Sequence, residues 1–186
     1  MRRYLNRIRK KISGKQGFSF SEMLVATLII LLVTGILTAT VALASDHFQK
    51  SMRSSESKVL ASTLKTIFIS ELAYTTEVRT DGSGNVTEFQ SQNYSIEGAI
   101  SSVGVSDPDA GGYGKIIFYN ANDSKESLKV LGDGSYPNGI GAKVTSLTYD
   151  KEAEDFKLVL EVGYGETCCV ERTVLIHNEN GDILTD

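Results

Sequence analysis

The pattern of apolar and polar positions divides the chain into a long N-terminal helical region and a C-terminal region of short strands. Residues 23–44 are dominated by Leu, Ile, Val, Ala and Thr, and no charged residue falls between Glu22 and Asp46. An α-helix rises about 1.5 Å per residue, so ~20 apolar residues cross the hydrocarbon core of a bilayer. The run is therefore long enough to span a membrane.

The helical pattern continues beyond this apolar run. Between Asp46 and Tyr74 there is no Pro and no Gly, and apolar residues recur mostly three or four positions apart. Such a one-sided stripe predicts an amphipathic helix that packs against another element. We predict one continuous helix from about residue 18 to about residue 74. The members of the stripe are Phe48, Met52, Val59, Leu60, Leu64, Ile67, Phe68 and Leu72.

The rest of the chain shows the alternation that is typical of strands. Turn-forming residues at 81–85 end the helical pattern, and Asn180-Gly181 is typical of a type I′ turn. The three longest alternating segments are joined by short connections and predict an antiparallel meander. The predicted fold is α+β: a long N-terminal helix packed on a C-terminal antiparallel β-sheet. The alternating segments are residues 86–89, 115–119, 128–131, 143–150, 156–164, 169–177 and 182–184.

The distribution of charge distinguishes the N-terminal residues from the rest of the chain. Residues 1–17 carry seven Lys/Arg and no acid, whereas the remaining 169 residues carry 12 Lys/Arg and 23 Asp/Glu, a net charge of −11. Basic residues ahead of an apolar span favour a cytoplasmic N-terminus with the rest of the chain outside. This topology accounts for the basic residues without nucleic acid. The acidic outer part also argues against direct binding of nucleic acid by the ectodomain.

These patterns together predict four parts of the chain. They are a basic leader (residues 1–17), a transmembrane half of the helix (18–44), to which the resemblance described next adds a role in assembly, an amphipathic half of the helix (45–76) and an extracellular β-sheet domain (77–186).

A basic leader ends at Gly17, Phe18 follows, Glu22 is the fifth residue after that glycine, and the apolar helix comes next. With this pattern, residues 15–45 resemble the class III leader of type IV pilins and pseudopilins. Residues 21–27, Ser-Glu-Met-Leu-Val-Ala-Thr, are most similar to minor pilins and minor pseudopilins. Many major pilins have Pro where this chain has Ala39, and the difference favours a minor subunit.

The resemblance implies a role for three residues. A prepilin peptidase would cleave after Gly17, and Phe18 would become the N-methylated N-terminus. Glu22 would neutralise the terminal amine of an adjoining subunit, since a carboxylate at the boundary of a membrane is costly unless it is paired. The implied partners are the peptidase, other pilin or pseudopilin subunits, an inner-membrane assembly platform and, before assembly, membrane lipid. The implied location is the cell membrane, as a single-pass protein, and then an extracellular filament.

We therefore expect a structural subunit of a type IV pilus or of a pseudopilus like that of type II secretion, in a minor or initiating position. A major pilin is the alternative within the family. Outside it, Ala42-Leu43-Ala44 before Ser45 resembles a signal-peptidase site, which would release a secreted binding domain, and an uncleaved span would leave an anchored one. The apolar run exceeds the ~7–15 residues of a secretory signal core, which favours the pilin interpretation.

No catalytic residue is expected, although the chain contains the residue types of a cysteine–histidine pair. The only histidines are His47 and His177, and a cysteine at 168 or 169 could pair with His177 as nucleophile and base. Cys169 and His177 are eight residues apart on one predicted strand, or ~26 Å, so they do not meet. Adjacent cysteines on a strand point to opposite faces. The redox state of the Cys168–Cys169 pair stays open, including a vicinal disulfide.

No cofactor or metal site is expected either. The two cysteines and two histidines are too few for a zinc site, and Asp81, Ser83 and Asn85 lack the distal bidentate acid of a calcium loop. The glycine-rich loops at 107–114 and 132–141 lack phosphate-binding spacing and are predicted to be surface connections.

Overall fold

The computed structural model describes residues 19–92, 101–120, 127–180 and 184–185. In these ranges one α-helix, α1 (Phe20–Leu72), precedes nine strands. The chain divides into two compact units, residues 1–48 and 49–186, with the boundary inside α1. The strands are β1 (Thr75–Thr80), β2 (Val86–Ser91), β3 (Ser101–Ser106), β4 (Lys115–Asn120), β5 (Ser127–Lys129), β6 (Gly141–Asp150), β7 (Asp155–Tyr164), β8 (Thr167–His177) and β9 (Leu184–Thr185).

The strands of the second unit form two sheets. The larger sheet has the order β5-β4-β3-β2-β1-β9 and is antiparallel except that β9 runs parallel to β1. The smaller sheet is the antiparallel meander β6-β7-β8. Backbone hydrogen bonds join the loops of the larger sheet to β6: Ala142 and Gly114 exchange two, and the N–H of Tyr149 donates to the carbonyl of Gly84.

The amphipathic half of α1 contributes one face to a core shared with both sheets. Buried positions recur three or four residues apart, which matches the 3.6-residue period of a helix. Phe118 of β4 packs edge-to-face against Phe68 of the helix, with ring centroids 5.7 Å apart, and against Phe89 of β2 at 5.6 Å. Burying one such side chain contributes ~1.5–3 kcal/mol. The buried helix residues are Ser57, Leu60, Ala61, Leu64, Phe68 and Leu72.

The α+β fold class, the long helix and the three-stranded meander are confirmed. The helix begins two residues after the predicted start and ends two residues before the predicted end. The larger sheet was underpredicted, since neither β1 nor β3 was expected. β1 carries charged residues and β3 consists of Ser, Val and Gly, so neither has clean apolar alternation. The predicted last strand is found as β9, and the turn predicted at Asn180-Gly181 extends outside the described residues.

Part of the predicted apolar stripe was wrong. Phe48, Met52 and Val59 are exposed, at 69%, 44% and 67%. Ser57 instead continues the buried row, because it lies three residues before Leu60 and therefore on the same face of the helix. Serine is not apolar, so the apolar pattern of the sequence could not indicate that position 57 is buried.

The two glycine-rich loops are more than surface connections, which corrects that prediction. Tyr113 in the first loop and Ile140 in the second are only 4% and 2% exposed. The hydroxyl of Tyr136 accepts a hydrogen bond from the backbone N–H of Ile116 at 3.0 Å. The second loop also contains two short 3₁₀ turns, Asp133–Ser135 and Pro137–Gly139. Each loop is therefore anchored by buried side chains that sequence spacing does not reveal.

Candidate functional site

The first turn of α1 is closed by the carboxylate that the sequence motif singles out. The backbone N–H of Ser19 donates to Oε2 of Glu22 at 2.9 Å, and the carbonyl of Ser19 accepts from the N–H of Met23 at 3.1 Å. This is one half of a capping box, in which an acid at the third helical position satisfies the backbone of the capping residue. Glu22 also places negative charge at the positive end of the helix dipole, which is favourable.

The apolar half of the helix has no cover within its own unit. Every described residue from 19 to 48 is exposed, including Phe20 at 81% and Leu31 at 72%. Exposed apolar area costs ~25 cal/mol per Å² in water, and an exposed apolar surface of this size is typical of segments that contact a membrane or other protein. By length and composition the helix can cross a membrane, and a signal sequence near an N-terminus would meet the same criteria.

The threonines in this half do not leave free hydroxyl groups. Thr34 donates to the carbonyl of Ile30 at 2.7 Å and Thr38 to that of Thr34 at 2.9 Å, and Thr27 and Thr40 make equivalent bonds. A hydroxyl that is bonded to its own helix can enter an apolar environment at little cost. These four hydrogen bonds remove the main polar obstacle to burial in lipid or in a helix bundle.

The other residues of the leader motif lie outside the described residues. Gly17, Phe18 and the basic leader (1–17) belong to that part of the chain, so Glu22 is the only one of the three residues with an implied role whose geometry is described. Its second oxygen, Oε1, makes no hydrogen bond to any described residue, whereas Oε2 bonds Ser19. A carboxylate accepts hydrogen bonds on both oxygens, so the capping bond leaves one oxygen for a cation.

An apolar groove borders the amphipathic half of α1, and the sequence did not predict it. It has a volume of about 400 Å³, and the exposed Val59 lies in it. The carboxylate of Glu56, one of its lining residues, accepts hydrogen bonds from Nδ2 of Asn138 on both oxygens, at 2.9 Å and 3.1 Å. The sequence placed both Val59 and Leu60 in the apolar stripe and carried no signal that Val59 faces outwards. The lining residues are Ser55, Glu56, Val59, Leu60, Thr63, Leu131, Ser135 and Pro137.

The two cysteines are free thiols at a bulge in β8. Cys168 pairs with Gly163 and Val170 with Val162, which leaves Cys169 as the extra residue of the bulge. Cys168 is exposed, and Cys169 is half-buried against the core. His177 lies at the far end of the same strand and contacts Oδ1 of Asp155 at 2.9 Å. The structure therefore does not bring a cysteine and a histidine together on this strand.

A polar network lies beside the exposed thiol. The hydroxyl of Tyr113 donates to Oε2 of Glu161 at 3.0 Å, Nζ of Lys143 lies 3.2 Å from the same oxygen, and Thr145 donates to Oε1 at 2.9 Å. Burial, with smaller contributions from Glu161 and Cys168, raises the pKa of Tyr113. Burial opposes ionisation of Glu161, but the three donors outweigh it and lower the pKa of that carboxyl. The donors and acceptors satisfy one another, as in a structural network.

Among the described residues, no group of three or more His, Cys, Asp or Glu side chains is placed to hold a metal ion. The carboxylate of Asp81 instead organises the β1–β2 turn. It accepts from the backbone of Ser83 at 2.8 Å and from the backbone and side chain of Asn85 at 2.9 and 2.8 Å. The side-chain bond from Asn85, followed by the backbone bonds, lowers the pKa of Asp81.

Fold and site together define an α+β protein with a long, apolar N-terminal helix whose amphipathic half packs on antiparallel sheets. Comparison of the chain with protein-family models, with curated proteins and with solved structures found no match.

Proposed function

We propose that the protein is a prepilin-like structural subunit that is cleaved after Gly17 and assembles into a type IV pilus or a pseudopilus like that of type II secretion. It occupies a minor or initiating position in that assembly. One observation carries the proposal: every described residue of the apolar half of α1 is exposed, and this half begins with the carboxylate of Glu22. The exposed apolar side chains suit packing against other helices. The carboxylate of Glu22 lies at the start of this surface, where it could pair with a positive charge of a neighbouring subunit.

The exposed helix explains how one segment serves two environments. Before assembly, lipid covers its apolar side chains, and afterwards neighbouring helices cover them. Apolar contact differs little between these environments, so helix association in a membrane depends on packing and polar contacts. The hydroxyls of Thr27, Thr34, Thr38 and Thr40 are already bonded within the helix and favour neither environment. A cation that pairs with Glu22 in the assembly alone would therefore decide the equilibrium.

The capping bond of Glu22 is compatible with that role. Oε2 holds the N–H of Ser19, and Oε1 is available to the amine that cleavage would create on Phe18 of another subunit. A carboxylate left unpaired in an apolar environment is strongly unfavourable, by ~3–5 kcal/mol relative to the intact pair. The ion pair between Glu22 and the amine of another subunit would therefore stabilise the assembled state relative to a subunit whose Glu22 is unpaired.

The test substitutes Glu22→Gln in the full chain in its native host. Glutamine keeps an acceptor for the capping bond and removes only the charge. We expect normal membrane insertion, a mature N-terminus at a methylated Phe18, and a loss of about tenfold or more from the sheared surface fraction, since an unpaired partner costs ~3–5 kcal/mol. Glu166→Gln, an exposed acid of the sheet domain, is the matched control and should assemble normally.

Two results would contradict the proposal. Unchanged assembly of the Glu22→Gln chain would show that the charge is not needed. A mature protein that begins at Ser45, or one that keeps residues 1–17, would support a secreted or anchored binding domain. Mass spectrometry of the N-terminal peptide distinguishes these cases from cleavage after Gly17.

A further inference from the structure

One flank of the amphipathic half of α1 is basic. Lys58 and Lys65 are seven residues apart, which is two helical turns, so both lie on the same flank together with the exposed Ser62 and Ile69. We call these four residues the lysine flank. Neither lysine forms an ion pair with a described residue. The two acids of α1 between residues 49 and 72, Glu56 and Glu71, are half-buried and do not offset the charge of the two lysines at the surface.

The connection between β6 and β7 has the opposite charge. Residues 150–155, Asp-Lys-Glu-Ala-Glu-Asp, contain four acids and one lysine, and we call them the acidic hairpin. Oδ1 of Asp150 accepts backbone hydrogen bonds that shape the turn, and Asp155 contacts His177. The carboxylate of Glu152 is exposed and has no partner among the described residues. The hairpin therefore presents a negative charge that no described residue of its own chain neutralises.

The two surfaces lie at different levels along the helix axis. Asn178 fixes the acidic hairpin near the end of α1, because its N–H donates to the carbonyl of Glu154 at 3.0 Å and its amide lies 3.4 Å from the carbonyl of Leu72. At 1.5 Å per residue, Lys65 and Lys58 lie ~10 Å and ~21 Å before Leu72. A hairpin could therefore contact the lysine flank of a second copy that is displaced along the helix.

We propose that the acidic hairpin of one copy docks on the lysine flank of a second copy, with a displacement of about 10–20 Å along the helix axis. The contact joins two different surfaces, so it is heterologous and repeats into an open polymer instead of closing a dimer. Exposed charge pairs add little affinity but favour one orientation and speed association. The contact sets the stagger of neighbouring subunits, and it rests on the assembly function proposed above.

The first experiment maps the contact directly. Full-length chains labelled with ¹⁴N and with ¹⁵N are co-assembled, the recovered filaments are treated with a carbodiimide, and crosslinked peptides are identified by mass spectrometry. A carbodiimide joins a lysine to a carboxylate only where the two are in contact. We expect amide links between Lys58 or Lys65 and Glu152 that combine the two isotopes, which shows that they join different chains.

The second experiment reverses the charges. Lys58→Glu with Lys65→Glu, or Glu152→Lys with Glu154→Lys, should each lower filament recovery about fivefold, the upper range for an exposed ion pair. A chain that carries all four substitutions restores complementary surfaces and should recover. Lys157→Glu, which reverses an exposed lysine of β7 outside both surfaces, is the matched control and should have no effect.

The outcomes separate the two proposals. If filaments form, but mixed-isotope links are absent and the reversals behave like Lys157→Glu, the docking is wrong and assembly stands. If wild-type chains never assemble, both proposals are wrong. If only the lysine reversals matter, and they also abolish binding of the full chain to phosphatidylglycerol vesicles, the partner of the lysine flank is an anionic lipid surface and the docking is wrong.

Discussion

The side-chain amide of Asn178 donates a hydrogen bond to the carbonyl oxygen of Thr75 at 2.9 Å, and this bond joins the end of β8 to the start of β1. Asn178 is only 2% exposed. Its Oδ1 accepts from the N–H of Asn180 at 2.7 Å, and the next residue, Glu179, donates its N–H to the carbonyl of Ala73 at 2.8 Å. The same amide lies 3.4 Å from the carbonyl of Leu72, so Asn178 and Glu179 together satisfy carbonyl groups at the end of α1 that have no helical partners.

Replacing Asn178 should therefore destabilise the sheet domain. We expect Asn178→Ala to lower the free energy of unfolding by ~1–3 kcal/mol, because backbone groups stay buried without a donor. Denaturant titration of the full chain in detergent micelles measures the loss. Gln92→Ala removes an exposed amide at a position without a positive φ, and it should change the free energy by less than ~0.5 kcal/mol. Equal effects of the two substitutions would show that Asn178 has no special structural role.

Gly163 has to be a glycine because two groups approach its Cα closely. A Cβ at this position would lie 2.5 Å from the carbonyl oxygen of Thr167 and 2.6 Å from Cζ of Tyr113. We expect Gly163→Ala to destabilise the protein by ~1–3 kcal/mol through overpacking. Gly132→Ala is the matched control, since its Cβ would contact nothing within 4 Å and its φ is −62°. A shift of the thermal midpoint in the first variant but not in the second supports this account.

Arg172 is an exposed charge at a register position on the core-facing side of the edge strand β8. It pairs with the buried Leu160, and its neighbours on that face, Val170 and Val174, are buried. An inward-pointing charge on an edge strand discourages pairing with a strand of another chain. We expect Arg172→Val to increase self-association of the detergent-solubilised chain in sedimentation velocity experiments. Thr173→Val, on the outward face, should increase it less, and the opposite order would contradict this role.

The network around Glu161 predicts the pH dependence of stability. Hydrogen bonds from Thr145, Lys143 and Tyr113 outweigh burial and hold the pKa of Glu161 below its ordinary value of 4.5. A carboxyl whose pKa is lower in the folded state stabilises the protein above about pH 4.5, and this contribution is lost as the pH falls through the folded pKa. Glu161→Gln should therefore flatten the decline of the thermal midpoint below pH 4.5.

The exposed Glu166, which makes no hydrogen bond to a described residue, supplies the control for that measurement. Glu166→Gln should keep the wild-type decline between about pH 5 and pH 3. If Glu161→Gln leaves the acid profile unchanged, the donors around Glu161 do not favour its ionised form in the folded state.

Apolar alternation in the sequence revealed the strands of the smaller sheet better than those of the larger sheet, and the reason is physical. β7 has one buried face and one exposed face, so Phe156, Leu158, Leu160 and Val162 alternate with less apolar residues and reveal the strand. β1 and β3 belong to a sheet whose strands show fewer such alternations, and their pairing comes from backbone hydrogen bonds to neighbours. Backbone bonding has no preference for side-chain type, so the sequence carried little signal for these two strands.

The candidate site shows the same division. Glu22 could be located from the sequence, because its position in a local motif and next to an apolar run needs no tertiary information. The sequence could not predict three other features: the hydrogen bond of Glu22 to Ser19, the groove beside Val59 and the exposure of Lys58. They depend on which face of the helix the sheets cover, and the apolar stripe predicted that face only in part.

The sequence by itself determined the apolar helix, its amphipathic continuation and the meander of β6 to β8, because periodicity reports directly which residues avoid water. Only the tertiary structure decided that Ser57 faces the core while Met52 and Val59 face outwards, and that the buried Asn178 joins β8 to the end of α1. These outcomes depend on contacts between residues distant in the chain. The free energy of such a contact is a property of both partners and of the space between them, and no local pattern encodes it.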